Sequence, residues 1–200
     1  MAAADFADGR ETAGWHARLV KSNEQVRRSG GQEERTCRTI ADKLLSNPLF
    51  QLWAKPRALS PLILSRYKPG MAYGSHVDDA LMQGLRTDIS FTIFLANQDA
   101  YDGGALVIET TAGEDDVKLS PGSAIVYPST ALHRVQEVTR GERLAAVGWA
   151  QSYIRDPARR ELLFDMETAQ RRLFETAGKT PVFDLVSKSC ANLLRMWADG

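Results

Sequence analysis

Three consecutive residues near the middle of the chain, His76-Val77-Asp78, include two side chains that could bind one metal ion. On an extended segment, residues two apart point to the same face, so His76 and Asp78 would converge on one point while Val77 faces away. The pattern is short, and a chance neighbouring of two surface residues is the plain alternative. A metal site therefore requires a further ligand from elsewhere in the chain.

The chain contains two other histidines, His16 and His133. We interpret His16 as a surface histidine or one whose hydrogen bonds are satisfied within the protein, because no carboxylate lies two residues away on either side of it. His133 then completes a set of two imidazoles and one carboxylate with His76 and Asp78. Such a facial triad leaves coordination positions open and is typical of non-haem iron(II) oxygenases.

A regular series of short strands should position these side chains. Between residues 61 and 156, hydrophobic runs alternate with turns that contain glycine or proline, which predicts eight strands. They are predicted at 62–67, 72–78, 86–96, 105–109, 117–119, 123–127, 132–138 and 143–152. This pattern predicts a double-stranded β-helix, or jelly roll. In that fold the second strand ends and the seventh begins at the same end of the barrel, which would bring His133 to His76 and Asp78.

Segments with helical periodicity flank the predicted barrel on both sides. Residues 33–46 and 49–54 form helix patterns before it, and residues 158–176 and a segment opening at Pro181 form helix patterns after it. Three further predictions cover a strand at 15–20, a frayed segment at 1–14 and a mobile loop at 79–85. We expect a mainly β fold with flanking helices. It is organised as an N-terminal region (1–60) packing on the core, the barrel (61–156) and a C-terminal helical appendage (157–200).

Composition restricts the classes of partner. The 200 residues contain 25 Lys and Arg and 25 Asp and Glu, so the formal net charge is zero and gives no electrostatic case for nucleic acid or an anionic membrane. No apolar run approaches membrane-spanning length, and the first residues hold no hydrophobic signal core. We predict that the two cysteines are packed thiols rather than a disulfide. Together these features predict a cytoplasmic protein.

An arginine follows His133 at a distance of ten residues, at the start of the last predicted strand. The inward face of that strand would carry Arg143, Ala145, Val147, Trp149 and Gln151. An arginine pointing into a largely apolar barrel needs an anion, and its guanidinium suits a carboxylate. A solvated arginine at the rim, beside Glu142, is the alternative.

These residues together resemble a known family, the Fe(II)/2-oxoglutarate-dependent dioxygenases of the prolyl-4-hydroxylase-like branch. The stretch Arg66-Tyr67-Lys68-Pro69-Gly70, then Tyr73, then His76-Val77-Asp78 is similar to that branch's Arg-Tyr-x-x-Gly-x-x-Tyr-x-x-His-x-Asp pattern. Bacterial PKHD-type hydroxylases resemble the chain most, through motifs such as Tyr101-Asp102-Gly103-Gly104, Tyr127-Pro128-Ser129 and Gln151-Ser152-Tyr153-Ile154-Arg155-Asp156. Members of that family usually carry an additional N-terminal helix, whose counterpart we expect this chain to lack.

The resemblance implies a hydroxylase with a defined division of roles. His76, Asp78 and His133 would bind Fe(II), and 2-oxoglutarate would chelate the iron while its far carboxylate pairs with Arg143. Tyr67 would donate a hydrogen bond to the same carboxylate. With O2 as the other co-substrate, the enzyme would hydroxylate a C–H bond and release succinate and CO2. Ascorbate is expected to help keep the iron ferrous, as in the family.

Two other function classes fit part of the pattern. One is a non-catalytic jelly roll that binds metal and 2-oxoglutarate as a sensor or binding module; the complete triad with Arg143 argues against it. The other is a cupin-like isomerase or sugar-binding protein, which usually uses more histidines at the metal. The substrate, a small molecule or a peptidyl side chain, is not determined by the sequence. The apolar stripes around Leu173 and Trp197 are compatible with a homo-oligomer.

Overall fold

The computed structural model describes residues 5–27 and 30–199, and these form two compact units. The first unit comprises residues up to 41 together with 59–150, and the second comprises 42–58 and 151 onward. Residues 1–4, part of the segment predicted to be frayed, lie outside the described residues. The units group residues 42–58 with the C-terminal helices, and the three-part division at residues 60 and 156 stays a prediction.

Short strands dominate the first unit, and α-helices dominate the second. The strands are β1 (Phe6–Asp8), β2 (Glu24–Val26), β3 (Pro56–Leu59), β4 (Ile63–Tyr67), β5 (Tyr73–His76), β6 (Leu81–Met82), β7 (Leu85–Arg86), β8 (Ile89–Phe94), β9 (Tyr101–Gly103), β10 (Leu106–Thr110), β11 (Gly113–Val117), β12 (Ala124–Pro128), β13 (His133–Val135), β14 (Val138–Gly141) and β15 (Arg143–Ser152). The α-helices are α1 (Gln32–Leu45), α2 (Pro48–Ala54), α3 (Pro157–Ala177) and α4 (Pro181–Trp197).

The larger sheet of the first unit is antiparallel, with strand order β1-β2-β4-β15-β8-β12. Every residue of β8 is buried, because β15 and β12 flank it in the sheet and its β-branched and aromatic side chains pack on both faces. Arg143 at the start of β15 stands opposite Tyr67 at the end of β4. The pairing therefore brings together two residues that are 76 positions apart in the sequence.

The smaller sheet has the order β11-β10-β13-β5 and is also antiparallel. His133 on β13 stands directly opposite His76 on β5, and Val135 stands opposite Tyr73 after a shift of register. Side chains from the two sheets and from the separate β9–β14 pair meet in a core of Tyr67, Tyr101, Leu106, Ile108, Tyr127, Val135 and Val138. The predicted mainly β jelly roll with flanking helices is confirmed.

Three local predictions were wrong. Residues 15–20 contain a 3-10 helix at Ala17–Leu19 instead of a strand, because turn hydrogen bonds from Leu19 N to His16 O and from Val20 N to Ala17 O override the alternation of apolar and polar residues in this segment. Residues 5–14 are ordered by pairing of β1 with β2 and by a 3-10 helix at Gly9–Thr12. Residues 79–85 include the β6–β7 hairpin instead of an irregular loop, and its turn at Gln83 and Gly84 has positive φ at both positions. The mobility of this segment stays a prediction.

The second unit begins its helices with capping side chains followed by proline. Asn47, Asp156 and Thr180 each accept backbone hydrogen bonds from the first turn of α2, α3 and α4 respectively, and each is followed by a proline. A small core of Ile154, Leu163 and Cys190 lies under α3 and α4. Lys55 forms an ion pair with Glu167 in the same unit.

Both cysteines are free thiols, as expected, with Cys190 buried and Cys37 half-buried. Within residues 5–27 and 30–199, no helix combines the length and the apolar character needed to cross a membrane.

Two neighbouring leucines on α3 offer a test of the second unit's core. Leu163 is fully buried, whereas Leu162 is half exposed. We expect Leu163→Ala to lower the free energy of unfolding by about 2–5 kcal/mol, because it removes buried methyl groups and leaves a cavity. Leu162→Ala is the matched control and should cost well under that. Urea unfolding of both variants measures the difference, and equal losses would contradict the assignment of this core.

Candidate metal centre

Two histidines face each other across paired strands of the smaller sheet. His76 ends β5 and His133 begins β13, and their ring centroids lie 4.3 Å apart. Asp78 follows His76 by two residues, and its Oδ2 lies 3.8 Å from Nε2 of His133. One donor atom from each of the three residues lies within 4.8 Å of the other two. The three side chains can therefore hold a single metal ion.

The hydrogen bonds of the two imidazoles leave the same nitrogen available on each ring. Nδ1 of His76 lies 2.8 Å from the carbonyl oxygen of Gly74, and Nδ1 of His133 lies 3.0 Å from that of Ala131. A carbonyl oxygen only accepts, so each Nδ1 carries the proton. The lone pair of each Nε2 therefore stays free for a metal, and the backbone fixes the orientation of each ring.

The carboxylate is oriented by a hydroxyl that the sequence did not single out. Ser90 Oγ donates to Asp78 Oδ2 at 2.6 Å, and Ser90 Oγ lies 2.8 Å from Ser129 Oγ. Ser90 and Ser129 are both buried. One oxygen of Asp78 is therefore held by a partner in the opposite sheet, which leaves little freedom for the carboxylate to rotate.

Aromatic rings pack against both histidines. Tyr73 stacks on His76 with ring centroids 3.6 Å apart, and Tyr127 meets His133 edge-on at 5.1 Å. Burial lowers the pKa of His76 to about 4, and repulsion from His133 adds to this effect. His76 is therefore a neutral imidazole at physiological pH, the form that binds metals.

Arg143 is buried in the same cavity without an anionic partner. Its side chain is 1% exposed, and its Nε has no hydrogen-bond partner among the described residues. The guanidinium lies 5.2 Å from the ring of Tyr67 and 5.5 Å from that of Phe94, and burial lowers its pKa. The alternative of a solvated arginine at the rim is therefore wrong. A buried guanidinium of this kind needs an anion that the described protein atoms do not supply.

Two tyrosines lie around the guanidinium. Tyr67 is fully buried, which raises its pKa to about 12, and the Asn23 amide donates a hydrogen bond to its phenolic oxygen. The hydroxyl of Tyr101 is buried and has no partner in the part of the chain described. Gly104 has a left-handed backbone with φ +63°, and a Cβ at this position would lie 3.2 Å from Cδ of Arg143. The glycine thus leaves room for the arginine stem.

The structure brings all five predicted site residues to one cavity between the sheets: Tyr67, His76, Asp78, His133 and Arg143. His16 is exposed and does not line the cavity, as expected. Sequence reasoning missed Ser90, Tyr101 and Lys21, which come from other strands or loops. Ser90 gives one signal, a polar residue between Ile89 and Phe91 in a strand, but that signal does not reveal which partner the hydroxyl meets. Tyr101 and Lys21 lack this signal.

Comparison with known proteins gives a consistent result. The family model described as the 2OG-Fe(II) oxygenase superfamily matches residues 62–151. A PKHD-type hydroxylase of Acaryochloris marina is 53% identical over 199 residues, covering 100% of this chain and 91% of the relative. A PKHD-type hydroxylase of a Picosynechococcus species is 52% identical over 196 residues, covering 98% of this chain and 90% of the relative.

A solved structure supports the same relationship. The crystal structure of a Pseudomonas putida prolyl-4-hydroxylase superposes with a TM-score of 0.55 and 25% sequence identity, covering 74% of this chain and 78% of that one. The family uses Fe(II), 2-oxoglutarate and O2, and the triad of His76, Asp78 and His133 offers donors suited to that metal. Since more than half of the aligned residues are identical to a relative over nearly the whole length of both chains, this protein is an oxygenase of the 2OG-Fe(II) superfamily and belongs to the PKHD-type hydroxylases.

Proposed function

We propose that the protein hydroxylates a C–H bond with iron held by Nε2 of His76, Nε2 of His133 and a carboxylate oxygen of Asp78. The proposal includes 2-oxoglutarate as co-substrate, with its far carboxylate on Arg143, and release of succinate and CO2. The observation that carries it is the buried guanidinium of Arg143 in the same cavity as the triad. Iron(II) together with 2-oxoglutarate and O2 supplies the oxidising chemistry in such a site.

The charges in the cavity favour a small dianion with a carboxylate at one end. A bidentate pair with a carboxylate would compensate the buried charge of Arg143. The hydroxyl of Tyr101, which lacks a partner among the described residues, and that of Tyr67 are two further donors in its surroundings. This arrangement supports the role of Arg143 as the anchor and of Tyr67 as a hydrogen-bond donor to the same group.

The remaining cavity residues orient the reactants and limit water. Tyr73 and Tyr127 cover the imidazoles, and Ser90 holds Asp78 in place. Val147 and Trp149 on β15 contribute apolar wall. A dry cavity of fixed geometry protects a reactive site from side reactions and strengthens its electrostatic interactions.

The family assignment does not determine the substrate or the conditions of turnover. The Pseudomonas putida neighbour is a prolyl-4-hydroxylase, which makes a peptidyl side chain one candidate substrate, beside small molecules. We include ascorbate as a reductant that maintains ferrous iron. Three further points stay predictions. They are the cytoplasmic location, the absence of nucleic-acid and membrane partners, and self-association through the apolar stripes of α3 and α4. Leu162, Phe174, Val182 and Leu185 expose about half or more of their side chains there.

Anaerobic titration with 2-oxoglutarate tests the cofactor assignment directly. The Fe(II)-loaded protein should develop a visible metal-to-ligand charge-transfer band, and His133→Ala should abolish it by removing one ligand. Arg143→Ala should bind iron normally but lose affinity for 2-oxoglutarate roughly thirtyfold to several-thousandfold.

Arg140→Ala is the matched control, since Arg140 is an exposed arginine paired with Asp102 outside the cavity. It should titrate like the unmodified protein. If Arg143→Ala bound 2-oxoglutarate normally, the anchor would be wrong. Iron binding without any band in the unmodified protein would favour the non-catalytic sensor.

The hydroxyl that orients Asp78 provides a second test. Ser90→Ala removes the hydrogen bond to Oδ2 without removing a ligand, and we expect Fe(II) affinity to fall roughly tenfold to a hundredfold. Competition against a chelator of known affinity measures this loss. Ser189→Ala is the control, because Ser189 is exposed and bonds only within α4. Unchanged iron affinity in Ser90→Ala would refute the orienting role.

A further inference from the structure

A lysine lies in the same cavity, held beside the strand that carries His76. Residues 20–22 run along β5, where Gly74 N donates to Val20 O at 2.8 Å and Ser22 N donates to Ala72 O at 2.8 Å. Between them, the Nζ of Lys21 lies 4.9 Å from the ring centroid of Tyr73, the ring that stacks on His76. A fixed backbone therefore places the ammonium group close to the triad.

The ammonium of Lys21 has little compensation from the protein. The residue is 8% exposed, and Nζ donates to Thr12 Oγ1 at 3.2 Å, a neutral acceptor. No carboxylate of the described residues lies within ion-pair distance of Nζ. Burial lowers the pKa of Lys21 to about 8, against the opposing influence of Asp78 and Asp8, so the group is still a cation at neutral pH. A buried cation with one neutral partner calls for an anion.

The charges of the loaded cavity leave Lys21 unmatched. The charged side chains that line it, among the described residues, are Lys21, Asp78, Asp79 and Arg143. If the proposed function holds, Asp78 and the chelating carboxylate of 2-oxoglutarate balance iron(II), and the far carboxylate of 2-oxoglutarate balances Arg143. Asp79 is exposed and stays hydrated. One buried positive charge then remains.

We propose that Lys21 binds a carboxylate group of the substrate. This inference rests on the proposed function and narrows its substrate class to molecules that carry a free carboxylate near the C–H bond to be hydroxylated. A single ammonium matches a single negative charge, whereas a phosphate group would bring up to two negative charges next to Asp78. Thr12 and Gln25 support the site, since Thr12 Oγ1 lies 2.8 Å from Gln25 Oε1 and both residues line the cavity.

The rival role for Lys21 is purely structural. In that case the ammonium would serve only to hold the Tyr73 ring, and through it the imidazole of His76, in place. Its removal would then weaken metal binding without affecting any carboxylate. The two roles differ in a measurable way, because only the first gives the loaded protein a preference for an acid over the corresponding amide.

The test uses propionate and propionamide as probes of nearly equal size. The protein is loaded anaerobically with Mn(II) and 2-oxoglutarate, and NMR relaxation of the probe's methyl protons reports binding near the metal. We expect the unmodified protein to relax propionate far more than propionamide. Lys21→Met should lower the affinity for propionate by roughly thirtyfold or more and abolish the preference, whereas Lys21→Arg should retain part of it. Lys43→Met, at an exposed lysine of α1, should behave like the unmodified protein.

Equal relaxation of the two probes in the unmodified protein would overturn the proposal, whether or not the variants fold. A preference that survives in Lys21→Met would overturn it as well, and a loss of Mn(II) affinity in that variant would then support the structural role. The charge-transfer band with Fe(II) and 2-oxoglutarate is measured first on each protein. Absence of the band in the unmodified protein overturns the proposed function, whereas a band without a propionate preference overturns only the role of Lys21.

Discussion

The pairing of β5 with β13 is the constraint on which the candidate site depends. It sets His76 opposite His133, and every other feature of the centre is built around that pair. Side chains alternate between the two faces of a sheet, so a slip of one residue in this register would turn one imidazole away from the cavity. Backbone carbonyls two residues before each histidine, at Gly74 and Ala131, then fix both rings in the same tautomer.

The second constraint is electrostatic. The interior between the two sheets holds the cations Arg143 and Lys21, both more than nine-tenths buried, and neither has a carboxylate partner within the described residues. Burying charge without compensation is costly, and a folded protein retains such groups where a ligand completes them. In the proposed function, 2-oxoglutarate pairs with the first cation, and the proposed carboxylate of the substrate pairs with the second.

Precision at the site comes from contacts between the sheets. Ser90 on β8 of the larger sheet orients Asp78, which follows β5 of the smaller sheet. Tyr127 on β12 likewise reaches across to His133. The close packing of the barrel therefore fixes the positions of the three donor atoms. A hydroxylase needs this precision, because a displaced ligand or co-substrate would misplace the reacting atoms.

The sequence by itself determined the residue types and their local order. Four features could be read without coordinates, because they depend on neighbours along the chain. They are the His-x-Asp spacing, the distance of ten residues from His133 to Arg143, the alternation of short strands and turns, and the family resemblance. Only the tertiary structure decided which strands pair and which side chains meet. The hydrogen bond of Ser90 to Asp78, the contact of Arg143 with Tyr67 and the approach of Lys21 to Tyr73 each join residues of different segments. Residues 15–20 show the same limit, since contacts along β5 and the preceding turn, rather than local propensity, set their conformation.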